Sequence, residues 1–255
     1  MNLLSWNING IRAAAKRGFA DWVKGAGADV LCLQETKAHA DQLGEAITAI
    51  PGYQSWWCAG ERRGYSGVGT YSRKAPLATV YGFGLDPQFD NEGRILIHDL
   101  ADFLLLNIYF PNGQSEKSPR LQYKLDFYEA TLAYCEARRR EGRELVICGD
   151  FNTAHQEIDL ARPKENERST GFLRIERDWM DRWEDHGYVD TFRHLHPDRV
   201  AYSWWDTKTR ARERNVGWRI DYFYVTPGLC SRIKDARILD AVTGSDHCPV
   251  MLELA

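Results

Sequence analysis

The sequence predicts an α/β layered protein built as one domain over residues 1–255, and three observations carry that prediction. Short apolar runs of strand type recur along the chain, most of them continuous rather than alternating. Continuous runs mark strands covered on both faces. Between them lie stretches with apolar residues three and four apart, the period of amphipathic helices. No low-complexity stretch or Pro/Gly/Ser-rich linker divides the 255 residues, and that length suits a single α/β unit.

The elements follow in order. A strand is expected at 3–8. Phe19, Trp22 and Val23 mark a short helix closed by Gly25 or Gly27. After a strand at 30–33, Leu43, Ala46, Ile47 and Ile50 mark a second helix, stopped by Pro51. Strands are expected at 68–71, 95–97 and 104–110. Leu121, Leu125, Tyr128, Leu132 and Cys135 then draw one apolar stripe on a longer helix. Arg138, Arg139 and Arg140 in its last turn suit the helix dipole, and Gly142 can close it. The remaining strands are expected at 145–148, 220–225 and 250–254.

Composition narrows the class. At 44% apolar and 27% charged residues the chain is globular, not disordered. Lys plus Arg is 33 against 36 Asp plus Glu, a net charge of −3, so attraction to phosphate must come from local clustering. No apolar run approaches the ~20 residues of a membrane span, and the amino terminus lacks the pattern of a signal peptide. The six cysteines form no Cys-x-x-Cys pair, and Cys32 and Cys148 sit in apolar runs. Buried, reduced thiols are expected, in a cytoplasmic (or nucleoid-associated) protein with no membrane partner.

Several apolar runs stop at a polar residue suited to chemistry. Glu35 follows a strand directly, as a hard-cation ligand or as a charge at a helix start. Asp150 and Asn152 are two apart, so both leave one face of a strand end. Asp150 can accept a proton and Asn152 can hold a water or a phosphate oxygen; the bland alternative is a turn. Gly149 between strand and turn permits close backbone approach. Asp246 and His247 lie in a turn set by Pro249. Asp221 sits in an apolar strand, where a carboxylate needs a partner; His247 and Arg219 are both candidates. The chain has no Ser-His-Asp spacing, Gly-rich phosphate loop or Cys/His zinc pattern. Oxygen ligands without thiolates favour Mg²⁺, with Mn²⁺ as an alternative. This inventory fits metal-assisted hydrolysis of a phosphate ester.

Seven segments carry a resemblance: Ser-Trp-Asn-Ile-Asn-Gly-Ile-Arg-Ala at 5–13, Leu-Gln-Glu-Thr-Lys at 33–37, Gly-Tyr-Ser-Gly-Val-Gly at 64–69, Asn-Ile-Tyr-Phe-Pro-Asn-Gly at 107–113, the run from Gly149 to Leu160, Asn-Val-Gly-Trp-Arg-Ile-Asp-Tyr-Phe at 215–223 and Gly-Ser-Asp-His-Cys-Pro-Val at 244–250. In order and over the whole chain, they resemble the exonuclease III family of abasic-site DNA endonucleases, within the endonuclease/exonuclease/phosphatase superfamily. The resemblance implies a four-layer α/β sandwich, two mixed β-sheets packed face to face and flanked by helices. It implies a monomer that hydrolyses the phosphodiester 5′ to an abasic site in duplex DNA, leaving a 3′-hydroxyl. A 3′–5′ exonuclease or 3′-end-cleaning activity goes with the family. Carried over by motif, Glu35 binds the metal with Asn7 nearby, and Asp246 sits on the metal side. Asp150 activates or orients water and Asn152 positions it or the phosphate. His247, oriented by Asp221, contacts the scissile phosphate, as do Tyr109 and Asn112. Trp204, Trp218 and Ile220 form a pocket for a base-less sugar, and Asn215 and Tyr65 join the substrate-binding set.

Two positions depart from the family pattern. Asn9 stands where some relatives carry Asp, and it is left out of the ligand set. The loop 163–171 carries Glu165, Glu167, Ser169 and Thr170 where basic or amide groups are frequent. DNA affinity is expected from 199–219 instead, where six basic residues face two acidic ones with Trp204, Trp205 and Trp218 interleaved. Two other readings are a phosphoesterase for lipid or inositol phosphates and an inactive DNA-binding module. The 215–223 segment counts against the first, and the complete set of competent residues against the second.

Overall fold

A computed structural model describes all 255 residues. The chain runs β1 (Asn2–Asn7), α1 (Ile11–Ala15), α2 (Phe19–Ala26), β2 (Val30–Gln34), α3 (Glu45–Thr48), β3 (Gln54–Cys58), β4 (Val68–Ser72) and β5 (Ala78–Tyr81). It continues with α4 (Pro87–Asp90), β6 (Ile95–Asp99), β7 (Leu104–Tyr109), α5 (Pro119–Arg140), β8 (Leu145–Asp150), α6 (Pro163–Asn166) and α7 (Arg174–Asp185). The last elements are β9 (Val189–Asp190), α8 (Thr191–Leu195), β10 (Trp204–Trp205), β11 (Gly217–Trp218), β12 (Asp221–Val225), β13 (Ile233–Ile238) and β14 (Val250–Leu254).

Two six-stranded sheets, ordered β13-β14-β1-β2-β4-β3 and β5-β6-β7-β8-β12-β9, pack face to face. Both are mixed: β1–β2 and β7–β8 are parallel and the other pairs antiparallel. Successive residues of each central strand serve different layers. Leu3, Cys32, Leu105, Val146 and Phe223 fill the space between the sheets. Leu4, Leu31 and Leu33 point outward onto Ile11, Phe19, Val23 and Ile47 of the first three helices. Leu106, Ile108 and Ile147 point outward onto Phe127, Tyr128 and Trp179 of α5 and α7. Four layers result, and the continuous apolar runs are explained by burial on both faces.

Helix α2 is bounded by Gly18 and Gly27, both left-handed. Ser118 caps α5 by accepting the Arg120 N–H, with Pro119 in the first turn. Two expectations are corrected. The helix expected from Leu43 to Ile50 shrinks to the single turn α3. The stripe expected on α5 is turned: Leu121 and Leu125 are only partly buried, and Lys124, Phe127, Tyr128, Thr131, Leu132 and Cys135 face inward. A buried polar residue, Lys124, takes the place the apolar pattern gave to Leu125. All six cysteines are unpaired, four of them buried. No helix is long and apolar enough to cross a membrane.

Candidate active site

The strands β1, β2, β7 and β8 end, and β12 begins, at one edge of the sandwich. The loops there enclose an open cavity of about 320 Å³. Its walls include Glu35, Tyr109, Asn112, Asp150, Asn152, Trp204, Trp218, Ile220, Asp246 and His247, ten of the fourteen expected site residues. Asn9, Lys37, Ser169, Thr170 and Gly171 complete it.

The register of β8 against β12 sets Asp150 directly opposite Asp221. Like charges in such a pair repel, and His247 lies between them. Its Nδ1 is 2.9 Å from Asp221 Oδ2 and its Nε2 is 3.8 Å from Asp150 Oδ2. Arg219, the other candidate partner for Asp221, turns away to Asp159 and Asp190. Ser203 donates to the same Asp221 Oδ2 at 2.6 Å and accepts the N–H groups of Ile220 and Asp221. Burial by itself would push the His247 imidazolium down; the Asp221 and Asp150 charges outweigh it and lift the pKa to about 10. Burial pushes the Asp150 carboxyl up to about 7, with His247 opposing and Asp221 adding to the rise.

Gly149 makes the turn into this site possible. Its φ is 141°, and a Cβ there would lie 1.8 Å from the Ile108 carbonyl oxygen in the next strand. Asn152 is left-handed at φ 52°. Its N–H donates to Asp150 Oδ1 at 2.8 Å, and its side-chain amide donates to the Phe110 carbonyl and to Asp150 Oδ2. Asn112 donates to Asn152 Oδ1 at 3.1 Å. Tyr109 stands beneath the Arg94 guanidinium, 4.7 Å from its ring. Burial, with Glu35 and Asp150 adding, holds the Tyr109 hydroxyl well above the usual phenol range, so it is a proton-bearing hydrogen-bond donor.

Glu35 also has a left-handed backbone, φ 56°. The Lys37 ammonium lies 2.8 Å from Glu35 Oε1 and donates to Asn9 Oδ1 at 2.6 Å. Asn9 donates to Asp246 Oδ1, and the Trp204 indole N–H to Asp246 Oδ2. Burial alone would raise the Asp246 pKa, but His247, Asn9 and Trp204 bring it below the usual carboxylate range. Oxygens of Glu35 and Asn9 meet at the Lys37 ammonium, with Asp246 tied to Asn9, and oxygen ligands of this kind are those a hard divalent ion takes. Asp150, Asp221 and His247 are a second group whose ligand atoms lie within 4.8 Å of one another.

Four expected residues lie off the cavity wall. Asn7 is buried beneath it, donating to Asp150 Oδ2 and accepting the Asn9 N–H, so it holds the Asp150 carboxylate rather than facing the cavity. Asp221 is buried behind His247, within hydrogen-bond distance of its Nδ1. Tyr65 accepts from Arg94 and Arg120 and reaches the site through Arg94. Asn215 accepts the Trp205 indole N–H at 3.1 Å and shapes the loop behind Trp204. Sequence reasoning missed Lys37, Ser203 and Arg94. Lys37 was within reach, two residues after Glu35 in a quoted motif; a lone Ser or Arg far along the chain gives no such signal. The loop at Ser169–Gly171, set aside for its acidic neighbours, does line the cavity.

The chain is similar to known proteins in sequence and in fold. The chain is 41% identical to an exodeoxyribonuclease of Bacillus subtilis over 254 residues, 99% of this chain and 98% of the relative. It is 41% identical to the DNA repair nuclease APEX1 of Danio rerio over 261 residues, all of this chain and 82% of that one. Among solved structures, an AP endonuclease from Archaeoglobus fulgidus superimposes with a TM-score of 0.91 at 28% identity, covering 100% of this chain and 99% of that one. The family model described as the Endonuclease/Exonuclease/phosphatase family matches residues 4–247, a span that takes in Glu35, Asp150, Asp221 and His247, and the chain belongs to that family.

Proposed function

We propose that the protein is a DNA-repair phosphodiesterase that cleaves duplex DNA 5′ to an abasic site and leaves a 3′-hydroxyl. One observation carries this reading above others of the family: the Trp204, Trp218 and Ile220 wall shares a single cavity with the Asp150–His247 pair. An apolar wall with no base-reading groups beside a phosphate-cleaving centre suits a bare deoxyribose turned out of the helix. The names of the relatives, an exodeoxyribonuclease and a DNA repair nuclease, support the same substrate class.

In this reading His247, charged and held at Nδ1 by Asp221, directs Nε2 at a scissile phosphate oxygen. Asp150, with its carboxyl near neutrality, takes the proton of the attacking water. The water oxygen bonds to phosphorus, the P–O3′ bond breaks, and the departing 3′-oxygen takes a proton from solvent water to become the 3′-hydroxyl. Asn152 keeps Asp150 in place, and Tyr109 and Asn112 donate to the phosphate. Glu35 and Asp246, with Asn9, would hold Mg²⁺, or Mn²⁺, which supplies Lewis-acid stabilisation of the phosphate charge. The unpaired cysteines support a reducing cytoplasmic setting.

The test is incubation of the protein and Mg²⁺ with duplexes carrying one abasic analogue or none. A single incision 5′ to the analogue, abolished by a chelator, is expected. Equal cutting of both duplexes, or no cutting of either, overturns the reading.

A further inference from the structure

We propose that the buried ion pair between Lys124 and Glu176 is a positioning pair for cleavage, clamping Asn152 and the loop at residues 169–171 together on one side of the cavity. The proposal rests on the phosphodiesterase reading of that cavity.

Lys124 lies near the start of α5 and Glu176 in the first turn of α7. Both side chains are 0% exposed, with Nζ 2.5 Å from Oε1. Charges so deeply buried are tolerated only when their hydrogen bonds are satisfied, and here they are. Lys124 also donates to the Asn152 carbonyl and to Thr153 Oγ1, both at 2.8 Å. Glu176 Oε1 accepts from the Thr170 hydroxyl, and Oε2 accepts the N–H groups of Gly171 at 2.6 Å and Leu173 at 3.1 Å.

The helices do not need this pair in order to pack. Tyr128 of α5 stacks on Trp179 of α7 with ring centres 4.1 Å apart, inside the apolar cluster that covers the sheet. An apolar pair of similar volume would serve that contact as well or better. What an apolar pair cannot do is bind loop backbone. Beyond each other, Lys124 and Glu176 bond to the two loops that flank the cavity and to the residue leading into α7. Both loops pass through left-handed backbone, at Asn152 with φ 52° and Gly171 with φ 89°, and the Ala154 N–H joins them by donating to the Gly171 carbonyl. Neither charged group lines the cavity, so the pair acts through Asn152, and hence through Asp150, rather than on substrate.

The experiment compares the wild type with Lys124→Met/Glu176→Leu, and includes Asp150→Asn as the inactive control. The double variant is expected to keep its melting temperature within a few degrees. Its kcat on the abasic duplex should fall about tenfold or more while KM changes less, as befits a misplaced catalytic group. Amide exchange at Gly171 and Ala154 should quicken by a similar factor, with β8 and β12 unchanged. The exchange readout needs no substrate. A wild type that fails to cleave therefore removes the functional reading, and the exchange result still decides the clamp. Glu176→Gln, which keeps shape and one acceptor oxygen, is the second variant. A folded variant with wild-type kcat and wild-type exchange at Gly171 overturns the proposal. Loss of fold in both variants assigns the pair to folding and overturns it as well.

Discussion

At the scale of single residues the site is governed by one imidazole between two carboxylates. The proposed mechanism needs Asp150 ionised and His247 charged, so kcat/KM should rise with pH through about 7 and fall above about 10. Asp221→Asn removes the charge that raises both groups. His247 should then lose its proton at lower pH and Asp150 should ionise at lower pH, moving both limbs of the profile in the acid direction. In the proposed mechanism Asp221 acts through His247, so the double variant with His247→Ala should be little slower than His247→Ala alone. Additive losses, or an alkaline limb that stays in place, would separate the two residues. The pair also bears on stability: the His247 pKa is raised above the ordinary 6.5, so its contribution is complete below that pH and lost as pH rises through about 10. Glu35 gives a second test. Glu35→Gln should weaken Mg²⁺ affinity, read by calorimetric titration, and excess Mg²⁺ should restore part of the rate; unchanged affinity would move the metal away from Glu35. The sequence showed each of these residues as a polar interruption of an apolar run, but not that Asp150 faces Asp221. That pairing depends on the antiparallel register of β8 and β12, which local spacing cannot express.

At the scale of elements the legible parts are those buried on both sides. Strands β1, β2, β7, β8 and β14 are apolar runs because a sheet or helix layer covers each face. Edge strands carry no such mark. β5 is mostly exposed and β13 alternates irregularly around a register shift at Ile233/Asp235, so neither stood out. Helix α7 was missed for a related reason. Eight of its twelve residues are charged, and only Trp179, Met180 and Trp183, with the paired Glu176, face inward. The clearest dependence of an element on one residue is at Gly149. Gly149→Ala places a Cβ into the Ile108 carbonyl at a φ that L-residues avoid. The strand must shift, at a cost on the order of 3 kcal/mol, which lowers the melting temperature by about 6–12 °C. Activity should fall further than stability does, because Asp150 is the next residue. A variant with wild-type melting temperature and rate would show that β8 relaxes freely there.

At the scale of the whole molecule, the two sheets bring chain ends far apart in sequence to one edge, and the result is a cavity with two unlike walls. Glu35, Asp150, Asp246 and His247 make a charged wall, which the proposed function assigns to a phosphate. Trp204, Trp218 and Ile220 make an apolar one, and the rings are fixed by their neighbours. Trp218 meets Trp204 edge-on with centres 6.3 Å apart and Phe172 edge-on at 6.4 Å. Trp204 is tied through its indole N–H to Asp246, so the apolar wall is built onto the charged one. Trp204 and Trp218 are only half-buried, unlike the core residues Trp183 and Trp205, which argues against packing as their sole role. In the proposed function this wall admits a bare sugar and leaves no room for a base, and turning out an abasic residue forfeits little stacking. Trp218→Ala should therefore enlarge the cavity and harm discrimination more than chemistry. Cleavage at abasic sites should fall while relative cleavage at normal nucleotides rises. The measurement is the ratio of kcat/KM for abasic and undamaged duplexes, with melting temperature as the control for lost packing. A large fall in melting temperature with an unchanged ratio would make Trp218 a packing residue and leave discrimination to the Trp204 and Ile220 side of the cavity.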